Sequence, residues 1–152
     1  MSSVGATSNE REEGSVVVRG AGSGFAQEIH IGKHRFKADE PLAAGGTDTG
    51  GTPYDLLLAA LGTCTSMTVG LYARRKKWPL ESVTVRLRHS RIHAADCADC
   101  ETKEGRLDRI DVQIELEGAL TEEQKRRLVQ IAERCPVRQT LESEIEIRAQ
   151  VV

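Results

Sequence analysis

Hydrophobic and polar positions change period several times along the chain, and the changes mark out its elements. Residues 15–20 carry Val16-Val17-Val18 and read as a strand that ends in the turn Gly20-Ala21-Gly22-Ser23-Gly24. From 25 to 31 the chain alternates, with Phe25, Gln27, Ile29 and Ile31 on one side and Glu28 and His30 on the other, the pattern of a second strand. Gly32-Lys33 fits a two-residue hairpin turn, and 34–38 returns as a third strand. Residues 41–51 are rich in Gly, Ala and Thr, which suits either a flexible loop or close backbone approach at the border of a pocket. Thr52-Pro53-Tyr54-Asp55 then reads as a helix start, with an N-cap, a proline at the first helical position and a capping-box acid. The helix runs apolar on nearly every side until Arg74-Arg75-Lys76-Lys77 and Trp78-Pro79 close it, so it is expected to be buried all round. Residues 82–93 and 107–117 alternate and predict a long antiparallel hairpin with an elaborated polar loop. Thr121-Glu122-Glu123-Gln124 opens a further helix that stops at Cys135-Pro136. A short helical turn is expected over 137–141 and a closing strand over 144–151. The order gives an α+β fold, its sheets antiparallel around a long buried central helix.

Composition narrows the class without naming a chemistry. The 152 residues suffice for one core, so 15–152 is expected to be a single domain behind a disordered tail, 1–14. Two Phe, two Tyr and one Trp leave that core to Leu, Ile, Val and Ala. A net charge of −2 argues against the basic footprint of a nucleic-acid binder. No signal-peptide pattern opens the chain, and charge interrupts the apolar helix before it reads as a membrane span. The expectation is a cytoplasmic protein whose four cysteines are reactive or metal-binding rather than structural.

Two cysteines stand in distinctive settings. Cys64 lies within the apolar helix between Thr63 and Thr65, where a free cysteine also serves as a small hydrophobe. Cys135 precedes Pro136 at a helix start, and the helix dipole with Arg134 and Arg138 would favour its thiolate; an ordinary helix-terminus residue would look the same. The run from Thr52 through Thr65, followed much later by Cys135-Pro136-Val137, resembles the OsmC/Ohr family of organic hydroperoxide reductases. The resemblance extends from about Val16 to the end. It implies an intertwined homodimer whose central helices pack together, with small residues Ala59, Ala60, Gly62 and Gly70 allowing close approach. It also implies a thiol peroxidase: Cys64 attacks a hydroperoxide, Cys135 resolves the sulfenic acid as a disulfide, and an external dithiol resets the pair, with no cofactor required. The sequence departs from the family where a Glu is expected after the helix-start proline. Tyr54 stands there and the acid follows as Asp55, about 100° further around the helix. Tyr54, Asp55 and an arginine, Arg19 or Arg35, are the candidates to line or activate the pocket.

A second constellation is His89, His93, Cys97 and Cys100. Two imidazoles and two thiolates could hold zinc, although two strand positions four apart lie about 13 Å from each other. A redox Cys-x2-Cys pair and a plain polar loop are the competing readings. An alternative function follows: a redox- or zinc-responsive binding protein that uses the loop of His93, Cys97 and Cys100, without peroxidase turnover. Asp39-Glu40 reads as a solvated turn, or as a group that reaches a partner's cysteine pocket.

Overall fold

A computed structural model describes residues 15–152; the tail expected over 1–14 lies outside the described residues. The chain divides into two compact units, the first ending at Asp55 and the second running from Leu56 to Val152.

The first unit holds an antiparallel sheet of β1 (Val17–Gly20), β2 (Gln27–Ile31) and β3 (His34–Ala38), in that order. Ile31 pairs with His34, so Gly32-Lys33 is the two-residue turn the sequence predicts. Gly32 has φ of +66°, which glycine at the first central position of such a turn supplies without strain. Asp39 follows β3 and is not a solvated turn. It is 2% exposed and organises the glycine-rich segment after it. Its carboxylate accepts from the hydroxyls of Thr47 at 2.6 Å and Thr49 at 2.7 Å, and from the Glu40 amide at 2.8 Å. The glycines there serve close approach: a Cβ on Gly46 would lie 2.0 Å from the Glu40 carbonyl oxygen, and one on Gly50 would lie 2.2 Å from that of Lys37.

The long helix α1 (Pro53–Lys76) opens with the expected capping box. The Thr52 amide donates to Asp55 Oδ2 at 2.9 Å, and the Asp55 amide donates to Thr52 Oγ1 at 3.1 Å. At its other end the Trp78 amide reaches the Ala73 carbonyl and the Lys77 amide reaches that of Arg74, a Schellman closure that puts Lys77 at φ +56°. The expectation of burial on all sides is not met within one chain. Leu61, Gly62, Thr65, Val69 and Ala73 form a buried stripe, whereas Leu56, Leu57, Met67 and Leu71 remain exposed. By length and composition alone α1 could also cross a membrane, since its most apolar window has a mean hydropathy of 1.6. The basic residues that close it lie outside that window's reach.

In the second unit, β4 (Leu80–His93) and β5 (Arg106–Gly118) form the long antiparallel hairpin, in register from Ser82↔Glu117 to His93↔Arg106. Helix α2 (Glu122–Ala132) begins at Thr121, whose hydroxyl accepts from the Gln124 amide while the Gln124 side chain takes the Thr121 amide. Val69 and Ala73 of α1 pack with Leu128 and Ala132 of α2, and Trp78, Val83, Ile114 and Leu116 close around them. This core fixes α1 and α2 side by side under the hairpin. Helix α3 (Pro136–Leu141) follows. The closing strand predicted for 144–151 is not formed; those residues carry no regular structure, and Ile147 is 85% exposed. Alternation alone does not make a strand. The segment needs a neighbour to take its amide and carbonyl groups.

Candidate active site

Packing of α2 on α1 sets where α3 begins, and that brings Cys135 to Cys64. Cys64 lies about midway along α1 and is half-buried; Cys135, the residue that caps α3, is fully buried. Their side chains are hydrogen-bond neighbours. The Cys135 sulfur also lies 4.0 Å from the Leu61 carbonyl, one helical turn before Thr65.

The two thiols are driven apart in acidity. Burial pushes the Cys64 thiol up, and the Cys135 sulfur that accepts its proton pushes the same way; the Val137 amide and the Thr68 hydroxyl act against this. Burial opposes the Cys135 thiolate too. There, however, the Cys64 thiol, the Arg138 amide, the Thr65 hydroxyl and the Val137 amide outweigh it, and Cys135 falls below the ordinary thiol value. The Arg138 and Val137 amides lie near the sulfur without making a capping bond of normal length. Of the two, Cys135 is therefore the thiol whose ionised form the site favours. The arginine contribution expected for Cys135 comes through the backbone, because the Arg138 guanidinium is held by Glu142 at 2.9 Å.

Thr65 and Thr68 are the site residues that the sequence reading did not single out. Thr65 is 3% exposed, and its hydroxyl, 2.8 Å from the Leu61 carbonyl, can turn its proton to either that oxygen or the Cys135 sulfur. The available signal was for Thr68 alone, four positions after Cys64 on a helix; Thr65, one position on, points to another face. Leu61 and Thr65 also form the floor of a cleft of about 470 Å³, walled by Ile110, Val112 and Ile114 of β5 and by Val129 of α2. Arg138 and Glu142 stand at its edge.

Arg19, Arg35, Tyr54 and Asp55 belong to the first unit. Asp55 is engaged in its capping box, Arg35 donates to His30 Nδ1, Arg19 lies opposite Glu28 in the sheet, and Tyr54 is 55% exposed. His89, His93, Cys97 and Cys100 are not gathered around one point. Cys97 and Cys100 are joined as a disulfide, His89 Nε2 meets Asp108 at 2.9 Å, and His93 is exposed at the end of β4. A disulfide offers no thiolate to a metal, and among the described residues no group of three or more His, Cys, Asp or Glu side chains is set to hold one. Gly62, expected at a helix–helix contact, instead receives Leu87 of its own β4: a Cβ at 62 would lie 2.6 Å from Leu87 Cδ1.

Solved structures share this fold. An OsmC-like protein from Mycoplasma pneumoniae is 18% identical with a TM-score of 0.64, covering 84% of this chain and 86% of that one. An organic hydroperoxide resistance protein from Elizabethkingia anophelis is 20% identical with a TM-score of 0.62, covering 86% and 89%. The organic hydroperoxide resistance protein OhrB of Bacillus subtilis is 23% identical with a TM-score of 0.56, covering 83% and 87%. No curated protein matches the sequence. The family model described as OsmC-like protein matches residues 46–150, a span that includes both Cys64 and Cys135. The chain belongs to the OsmC-like family.

Proposed function

We propose that the protein reduces organic hydroperoxides through Cys64 and Cys135. The observation that carries this reading is the contact between two thiols from distant parts of the chain, one half-exposed and one buried with its thiolate favoured. Cys64 is the accessible sulfur, so it is the nucleophile. Its proton passes to the Cys135 thiolate as the substrate arrives, a base already within reach. The Cys64 thiolate then attacks the outer oxygen of the hydroperoxide, the O–O bond breaks, and the alkoxide leaves as alcohol after taking a proton. Cys64 is left as a sulfenic acid. The Cys135 sulfur attacks it, water departs, and the Cys64–Cys135 disulfide has taken up the two electrons' worth of oxidation. An external dithiol restores both thiols. The apolar wall of Ile110, Val112 and Val129 suits the organic part of such a substrate. Tyr54, Asp55 and Arg19 or Arg35 are proposed as pocket or activating residues.

A homodimer completes the reading. Leu56, Leu57, Met67 and Leu71 of α1 and Ile145, Ile147 and Val151 near the end of the chain are exposed apolar side chains that a second copy would cover. A reducing cytoplasm, rich in dithiols, is the proposed setting. Cumene hydroperoxide consumption by the reduced wild type and by Cys64→Ser tests the chemistry. Turnover is expected to fall at least about 100-fold in the variant, since no other sulfur replaces the nucleophile. Equal turnover in the two would sink the proposal.

A further inference from the structure

The tip of the β4–β5 hairpin carries a second sulfur pair that the thiol chemistry at α1 does not use. Cys97 and Cys100 form a disulfide there. A stapling role explains it poorly. The strands are already in register up to His93↔Arg106, and the Ala94 amide donates to the Gly105 carbonyl at 2.8 Å, so the backbone closes the tip before the disulfide does. The bridge joins residues only three apart. The entropy that a crosslink removes from the unfolded chain grows with the loop it closes, and this loop is nearly as short as a bridge allows.

What the pair does have is access and a charged surround. Both cysteines are partly exposed, and Ala98 and Asp99 between them are exposed. Residues 94–105 carry Asp96, Asp99, Glu101 and Glu104 against Lys103 alone. The Lys103 ammonium donates to the Ala98 carbonyl, within the disulfide loop, at 3.3 Å. The pair also lies well along the hairpin from the two thiols at α1. Leu87 packs at Gly62, near Cys64, and six further residues of extended strand carry the chain about 20 Å on to His93.

We propose that Cys97–Cys100 is a thiol–disulfide exchange site, separate from Cys64–Cys135, that takes electrons from an external dithiol presented on a neutral or positively charged surface. A thiolate of the donor attacks one sulfur of the pair and the S–S bond breaks. The displaced cysteine leaves as a thiolate and takes up a proton. The donor's second thiol then releases the mixed disulfide, so the donor is oxidised by two electrons to its own disulfide and Cys97 and Cys100 end as two thiols. The strand ladder remains paired throughout, so the change is confined to the tip. The acidic surround repels an anionic thiol such as glutathione and draws in a cationic one.

Three small thiols that differ in charge test this on the full-length oxidised protein: cysteamine, 2-mercaptoethanol and 2-mercaptoethanesulfonate, compared at equal thiolate concentration. Alkylation and peptide mass mapping read the Cys97 and Cys100 thiols separately from Cys64 and Cys135. Opening in the folded protein is expected with all three, fastest with cysteamine, with a cation-to-anion rate ratio of roughly tenfold at low salt that collapses towards one near about 1 M salt. Asp99→Asn with Glu101→Gln is expected to narrow the low-salt ratio. Opening is expected to lower the melting temperature by no more than about 7 °C, since a crosslink closing so short a loop takes little entropy from the unfolded chain. A bridge that resists every thiol until the chain is denatured would overturn the proposal. So would equal rates at low salt, or a large drop in melting temperature on opening, which would make the bridge a staple after all.

Discussion

Asp39 receives hydroxyl protons from both Thr47 and Thr49 while almost wholly shielded from water. Those two hydroxyls hold its carboxyl far below the usual carboxylate range, with the Glu40 and Thr49 amides adding to them and burial working the other way. A carboxylate whose folded pKa is depressed stabilises the fold fully above its unfolded value, about 3.9, and that contribution drains away as pH falls towards the folded value. Asp39→Asn is therefore expected to be less stable than wild type at neutral pH, with the gap shrinking between about pH 4 and pH 2. Urea unfolding at both ends of that window checks the prediction, and a gap independent of pH would refute it. Nothing local announces this role. Asp-Glu before Pro is what a solvated turn looks like, and only the return of residues 47 and 49 over Asp39 turns it into an anchor. Thr68 was closer to legible, because helix spacing alone puts it beside Cys64, whereas Thr65 serves the Cys135 sulfur, which comes from a distant part of the chain.

At the scale of elements, local chemistry carried most of the information. Thr52 with Asp55 and Thr121 with Gln124 are capping boxes in the structure as in the sequence, because both partners lie within four residues. The alternation of the β4–β5 hairpin was readable for the same reason, and so was the Gly32-Lys33 turn. The end of α1 is less economical. Lys77 takes the left-handed conformation that a Schellman closure requires, where a side chain costs energy and glycine does not. Lys77→Gly is expected to raise stability by about 1 kcal/mol, measured by denaturant midpoint at unchanged slope. A loss of stability would mean that the lysine makes contacts worth more than its backbone strain. The segment 144–151 marks the limit of local reading. Its period is that of a strand, yet within one chain its amide and carbonyl groups meet no neighbouring strand.

On the scale of the molecule, α1 is the unresolved surface. One stripe supports the core with α2, and Met67, on another side, is 71% exposed. An apolar helix left half-covered is stable in water when a second surface meets it. Met67→Lys is accordingly expected to convert a dimer to a monomer, read as a halving of mass by light scattering after gel filtration. A wild type that already runs at the mass of one chain would remove the dimer from the account. The sequence by itself determined the α+β order, the helix caps, the strand periods and, through the residues around Cys64 and Cys135, the family. These depend on neighbours a few positions apart. The tertiary structure alone decided that the two thiols touch, that the acidity of Cys135 is raised and that of Cys64 lowered, that Asp39 is buried, and that Cys97 and Cys100 close on each other instead of turning to His89 and His93. Each of these rests on desolvation or on contact between distant segments, and both are set by packing in three dimensions rather than by spacing along the chain.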